Sequence, residues 1–355
     1  MSALVRVVVI DDSPLSAEVL RSVIEEDPRL EVAAVGHDGL RAIELNRTLR
    51  PAVITMDVHM PRMNGLEAVS RIMATNPTRI LLITEDTAHG LPFEALRRGA
   101  MDLLRRPAAR TAFGVIAGNE LRQRILLLAQ VPLLRPRGRM EQRPPVVAPA
   151  RLPRSSALAS RAPLAVLGVA ASSGGPAALA TFLTALGPTF PLPILIVQHL
   201  AAGFVGGLAT WLERVSGLRT RVATDGARFS AGDVLLSPDD AHLGIDRPGH
   251  VRLDPGPPID GHRPSATHLF SSLARIYGDT AAAVVLTGMG RDGAAGVRAL
   301  AAAGARLFVQ DERTSVVFGM PRAAAEADPS AELGAPEALA ARISALASAQ
   351  VRVGA

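Results

Sequence analysis

Three residues in the second half of the chain carry side chains that together can activate a hydroxyl. Ser172 lies in the turn Ala171-Ser172-Ser173-Gly174-Gly175, between the apolar run Leu164 to Val169 and an alanine-rich helix opened by Pro176. Strand, small-residue turn and helix form the setting that presents a serine at the carboxyl end of a sheet. The stretch is nearly G-x-S-x-G around Ser172, with Ala170 at the first glycine. Alone, it reads equally well as a phosphate cradle or a tight corner. His199 follows the apolar strand PILIVQ, and Asp292 follows the apolar run Ala281 to Leu286 through Thr287-Gly288-Met289-Gly290-Arg291. Each also has a plainer reading, His199 as a core histidine and Asp292 as the N-cap of a helix beginning at Gly293-Ala294. Together at strand ends they form the set in which histidine takes the serine proton and a carboxylate fixes its tautomer, in any chain order.

A second group is acidic. Asp11 and Asp12 end the strand Leu4 to Ile10, Asp57 ends Val53 to Met56, and Thr84 ends Arg79 to Ile83. Strand carboxyl ends of a parallel sheet share one crevice, so these residues converge. Three carboxylates in one cleft repel each other unless a cation joins them, and oxygen ligands suit a hard divalent ion of the Mg2+ type. Solvated strand-end caps are the plainer reading for Asp11-Asp12 by itself.

The elements that must position these groups alternate throughout. A helix from about Pro14 to Glu26 and strands Val32 to Val35 and Met101 to Leu104 complete the first third. In the second part, a helix at Pro176 to Leu186 and one containing Trp211 precede short strands at Arg221 to Ala223, Val234 to Ser237, His242 to Ile245 and Val251 to Leu253. A helix opens near Pro264, and the strand Ala305 to Gln310 and helical segments follow. The expected fold class is α/β, with two doubly wound parallel sheets, the second carrying an antiparallel insertion. The expected divisions are residues 1–125, a linker at 126–162, and 163–350. The stretch from Val131 to Ala162 holds seven arginines, six prolines and one acid, Glu141, which reads as an extended solvated spacer.

Composition narrows the classes. A length of 355 residues suits two domains. There is no cysteine, hence no disulfide, thiol nucleophile or zinc thiolate. No apolar run reaches membrane-spanning length, and no signal-peptide pattern opens the chain, so a cytoplasmic protein without membrane insertion is expected. The net charge of +5 is small for this length, and no helix-turn-helix follows the first domain, so DNA is not an expected partner. All basic residues are arginine.

IDDSP, ITMDVHMPRMNG and GAMDLLRRP resemble the receiver domains of response regulators. The resemblance implies a flavodoxin-like domain with Asp57 as phosphoacceptor, Asp11, Asp12 and Asp57 around Mg2+, and Thr84 as the responding hydroxyl. Arg106, before Pro107, stands where that family has lysine, and Leu103 where it usually has an aromatic. A guanidinium is larger and planar, so the exchange is not neutral for the switch.

ASSGGP, IVQHL, HRPS, LTGMGRDGAAG and VQDERTSVVFGMPRAA resemble, in order and spacing, the catalytic domain of chemotaxis protein-glutamate methylesterases. The resemblance implies Ser172 as nucleophile, His199 as base, Asp292 as orienting acid and the Met289 backbone N–H as oxyanion donor. Ser173 stands at a usual threonine, with its hydroxyl able to reach His199, and His262 is expected near the site. The implied function is a phosphorylation-regulated hydrolase that demethylates glutamate methyl esters and deamidates glutamines on methyl-accepting chemotaxis receptors. A histidine kinase would be its phosphodonor, the unphosphorylated receiver would cover the esterase face, and the esterase step would need no cofactor. The alternative is a regulatory binding protein with a degenerate receiver and little hydrolase activity.

Overall fold

The computed structural model describes residues 4–85, 90–106, 115–131 and 162–351. Most of the expected linker and Pro107 lie outside the described residues.

The first sheet is built from β1 (Val5–Ile10), β2 (Leu30–Gly36), β3 (Val53–Met56), β4 (Arg79–Thr84) and β5 (Asp102–Arg105), in the order β2-β1-β3-β4-β5. All neighbours are parallel. Helices α1 (Pro14–Glu25), α2 (Gly39–Leu49), α3 (Gly65–Thr75), α4 (Leu91–Arg97) and α5 (Val115–Gln130) connect the strands and close the unit. Ser13, Asp38 and Asn64 cap α1, α2 and α3 with side-chain oxygens, so each helix starts where the strand-end loop must turn back. The boundary expected at residue 125 falls inside α5, which continues because Leu128 and then Val131 are buried in the same core as Leu121 and Ile125.

The second sheet holds β6 (Val166–Ala171), β7 (Ile194–Gln198), β8 (Arg219–Val222), β9 (Asp233–Leu236), β12 (Ala281–Val285), β13 (Arg306–Gln310) and β14 (Glu332–Gly334). Its order is β14-β13-β12-β6-β7-β9-β8, parallel throughout. Helices α6 (Gly175–Leu186), α7 (Val205–Ser216), α8 (Ala266–Tyr277), α9 (Ala294–Ala302), α10 (Met320–Ala327) and α11 (Pro336–Val351) accompany it. The central strands β6, β7 and β12 are buried along their whole length, which is why they read as apolar runs, with only Gln198 at the end of β7 polar. The antiparallel insertion is narrower than expected. Only β10 (His242–Arg247) and β11 (His250–Asp254) form it, as a separate hairpin, while β8 and β9 join the parallel sheet.

Both sheets reverse strand order at the point where their candidate residues sit. In the first, β1 and β3 lie side by side and lead into Asp11 and Asp57. In the second, β6 and β12 lie side by side and lead into Ser172 and the loop carrying Asp292. Such reversal points open a crevice at the strand carboxyl ends.

The two sheets share core. One apolar cluster runs from Phe93, Leu96 and Leu103 to Leu179, Phe182, Phe204 and Trp211. Phe93 of α4 meets Phe204 edge-on at 6.3 Å and stacks on Trp211 at 5.7 Å. Val316 and Val317, from the loop before α10, pack against the first sheet's other cluster.

Candidate active site

The Ser172 turn is held on three sides. Ser172 follows β6 directly, its N–H donates to the Thr287 carbonyl (3.0 Å), and its own carbonyl accepts from Gly175 N (2.8 Å). The Gln198 amide donates to the carbonyls of both Ser172 (2.9 Å) and His199 (2.8 Å), tying the ends of β6 and β7 together. Gly174 has φ +76°, a left-handed conformation that a side chain resists. At Gly288 an added Cβ would lie 2.9 Å from the Ser172 Cβ and closer still to the Met320 sulfur. The backbone leading into Met289 therefore passes against the nucleophile because residue 288 has no side chain. Ala170, at the first position of the elbow pattern, is fully buried within β6 and is part of the core.

His199 and Asp292 meet as the spacing suggested. The Asp292 Oδ2 accepts from His199 Nε2 at 2.9 Å. This fixes the tautomer with hydrogen on Nε2 and leaves the lone pair on Nδ1. That Nδ1 is buried and has no hydrogen-bond partner among the described residues. An unpaired buried acceptor is costly and is found where function asks for it. His199 N also donates to the Ala171 carbonyl (3.0 Å), so His199 and the Ser172 turn are joined through backbone.

Asp292 both bonds the His199 imidazole and caps a helix, a different one from that expected. Its Oδ1 accepts from Ser265 Oγ (2.7 Å), Thr267 N (3.1 Å) and Gly293 N (2.8 Å), and its Oδ2 from Ala266 N (2.6 Å) as well as His199. It thus closes the amino end of α8, whose own Ser265 makes no side-chain cap. Burial pushes the carboxyl toward the neutral form. The bonds from His199, Ser265 and Ala266 outweigh this and hold it well below the ordinary carboxylate range. Asp292 is a permanent anion at any physiological pH.

Ser265 and Thr267 were not legible as site residues, because PSAT before an apolar run reads only as a helix start. His242, too, became a support: its Nδ1 accepts from Ser265 N (3.1 Å), which steadies the residue that bonds Asp292. His262 lies flat on His199, ring centroids 4.2 Å apart and planes within 2°.

Ser173 departs from expectation. Its hydroxyl does not meet His199 but donates to Asp102 Oδ2 at 3.3 Å, across to β5 of the first sheet. The same carboxylate accepts from Arg124 of α5 at 2.8 Å. Arg105 reaches the Ala202 carbonyl (3.4 Å), just past His199. The first unit therefore lies against the residue that follows the nucleophile. Its buried acid Asp102 draws the hydroxyl away from the imidazole.

In the first unit Asp11, Asp12 and Asp57 bring one oxygen each within 4.8 Å of one another. Burial raises the Asp11 carboxyl to about 6, and raises that of Asp57, with Arg106 opposing in both cases. A Nη2 of Arg106 bonds Asp11 and lies 3.1 Å from Asp57 Oδ2. The guanidinium thus reaches the carboxylates from the lysine position. Desolvated carboxylates with a raised proton affinity and an all-oxygen donor set fit a hard divalent cation. Thr84 is buried beside this cluster, its carbonyl accepting from Arg106 N at 2.9 Å. Leu103 is fully buried in the core shared with Phe93.

Comparison with known proteins agrees with this arrangement. A CheB methylesterase family model matches residues 167–343, and a response regulator receiver domain model matches residues 7–114. Protein-glutamate methylesterase/protein-glutamine glutaminase 2 of Anaeromyxobacter dehalogenans (strain 2CP-C) is 47% identical over 323 residues, 91% of this chain and 91% of its own length. The chain belongs to this methylesterase/glutaminase family. Another member, protein-glutamate methylesterase/protein-glutamine glutaminase 4 of Myxococcus xanthus (strain DK1622), is 41% identical over 95% of this chain and 96% of its own. The crystal structure of the Thermotoga maritima CheB methylesterase catalytic domain aligns with a TM-score of 0.50 at 32% identity, covering 52% of this chain and all of that one. In methylesterase terms, the second sheet is the catalytic part, and the first, which carries the acidic cluster, is the receiver.

Proposed function

We propose that the chain hydrolyses glutamate methyl esters, and the amides of selected glutamines, on the cytoplasmic helices of methyl-accepting chemotaxis receptors. The observation that carries this reading is the Asp292–His199 pair, with His199 Nδ1 unpaired among the described residues and the His199 backbone bonded to Ala171 of the Ser172 turn. In the first step, Ser172 Oγ attacks the ester carbonyl while its proton passes to His199 Nδ1. The imidazolium then protonates the departing methoxide, releasing methanol and leaving an acyl-enzyme. A water, deprotonated by the same nitrogen, cleaves the acyl-enzyme and restores the serine. With a glutamine side chain, ammonia leaves instead. The Met289 N–H serves the oxyanion, as Gly288 brings that backbone against Ser172.

The receiver, residues 1–125 with the rest of α5, regulates the catalytic domain, 163–350, across the intervening basic linker. Asp57 takes the phosphoryl group from a histidine kinase, and Asp11, Asp12 and Asp57 would hold Mg2+, which screens charge on the incoming phosphoryl group. Arg106 stands in for lysine at this cluster. Thr84, buried with its carbonyl accepting from Arg106 N, is the hydroxyl that responds. Asp102 and Phe93 keep the receiver on the esterase face until then. The protein acts in the cytoplasm. The alternative of an inert regulatory protein gains no support, since His199 meets Asp292 and Arg106 meets Asp57.

The deciding experiment is methanol release from methylated receptor, with and without acetyl phosphate and Mg2+. Release that depends on Ser172 and rises with the phosphodonor supports the reading. No release from any methylated receptor under either condition overturns it.

A further inference from the structure

His262 makes an unusual contact with the base. Its ring lies over that of His199 with centroids 4.2 Å apart and planes 2° from parallel. Parallel rings at this separation are offset stacked, the arrangement that the π quadrupole favours over a direct sandwich. The His262 side of the stack is anchored by a pair of backbone bonds. The His262 N–H donates to the Ile259 carbonyl (2.9 Å), and the His262 carbonyl accepts from Ile259 N (3.0 Å). Three residues further on, Ser265, Ala266 and Thr267 all bond Asp292. One short segment thus supplies both the ring on His199 and the donors that fix its carboxylate.

We infer that His262 is a positioning residue for the esterase reaction, whose neutral ring holds the His199 plane and stabilises the imidazolium that His199 becomes. The electron-rich face of an aromatic ring attracts a cation lying over it. Asp292 supports the same cation in the ring plane through Nε2, so the imidazolium is stabilised along two perpendicular directions. The face can do this only while His262 is uncharged. Burial, and then the neighbouring His199, hold its imidazole below the usual histidine range, against the opposing pull of Asp292 and Asp260. This environment favours the neutral His262 ring when His199 takes the serine proton.

The inference rests on the esterase reading, and the experiment separates the two. Full-length His262→Leu and His262→Phe are compared with wild type and with Ser172→Ala. Leucine keeps the volume without a π face, while phenylalanine keeps the face and cannot take a proton. The expected result is a kcat reduced roughly tenfold in His262→Leu and largely restored in His262→Phe, with KM and thermal stability little changed in either. NMR titration of the His199 ring in the resting protein needs no substrate. Its midpoint should fall in His262→Leu and remain near wild type in His262→Phe, with Asp292, Asp260 and residue 262 the groups facing the rings. Equal behaviour of the two variants in the titration overturns the stack. A rise in KM common to both makes His262 a substrate contact instead. Failure of wild type to release methanol would sink the esterase reading alone, because the titration still decides the stack.

Discussion

The two reversal points of this molecule hold carboxylates in opposite states. Asp292 is buried and accepts from five donors, so its negative charge is fully compensated and permanent. Asp11 and Asp57 are also buried, but the compensation described for them is partial. The Asp11 Oδ1 accepts from Ser13 N, the Asp57 Oδ1 from Val58 N and His59 N, and one guanidinium serves both. Burial therefore wins at one site and hydrogen bonding at the other, and the carboxyls move in opposite directions. The difference teaches what each site awaits. The esterase site is assembled in advance, as electrostatic catalysis requires. The receiver site is left short of positive charge, which suits the cation and the phosphoryl group proposed for it.

The largest expected effect breaks the assembled site outright. Ser172→Ala should lower methanol release by about five to six powers of ten with thermal stability unchanged. Near-normal turnover would move the nucleophile elsewhere. Asp292→Asn comes next. It should cost on the order of 10³–10⁴ in rate, because the amide no longer fixes the Nε2–H tautomer. It should also cost about 1–3 kcal/mol of stability, because an NH₂ group now faces the donors at the start of α8. Both losses together are the signature of a carboxylate that caps and orients, and chemical denaturation beside the rate assay reads them. The sign of the pH dependence follows. Since the folded carboxyl lies below its unfolded value of 3.8, its stabilisation is complete above that value and is lost only as pH falls further toward the folded one. Acid unfolding of Asp292→Asn should accordingly lack this component.

Asp102→Ala tests whether the receiver restrains the assembled site. Releasing Ser173 and Arg124 from this carboxylate should raise basal esterase activity a few-fold, in line with one interdomain hydrogen bond of about 0.5–1.5 kcal/mol. Unchanged basal activity together with an unchanged response to phosphodonor would remove Asp102 from the restraint. The last prediction sharpens the other half of the comparison. Mg2+ at about a hundred times its dissociation constant should stabilise the receiver by about 2.7 kcal/mol, a rise of several degrees in its melting transition. Asp57→Asn should diminish that rise and abolish activation by acetyl phosphate while leaving basal methanol release intact. An equal rise in Asp57→Asn would place the cation elsewhere.

What the sequence disclosed follows from where each partner lies. Strands such as β1, whose Val7 to Ile10 is a continuous apolar run ended by an acid, made both sheets readable. Asp292 and His199 were legible because each closes a buried strand or the loop beyond one. β14 was missed, since Glu332-Leu333-Gly334 is three residues with no periodicity to detect. The parallel pairing of β8 with β9 was missed because short strands between turns look the same in either direction. Ser173, Phe93 and Asp102 were misread or passed over for one shared reason. Each has a partner in the other unit, and nothing local marks a side chain that is satisfied across an interface.

The stack of Phe93 on Trp211 gives the molecule its own optical reporter. Trp211 is the only tryptophan in the chain, 1% exposed, and it touches the receiver's α4. Any movement that lifts α4 from α7 takes an aromatic wall from this indole and lets water in. Its emission must then shift to the red and become open to soluble quenchers. Domain opening can thus be followed in the unlabelled wild-type protein, with no second tryptophan to confuse the signal.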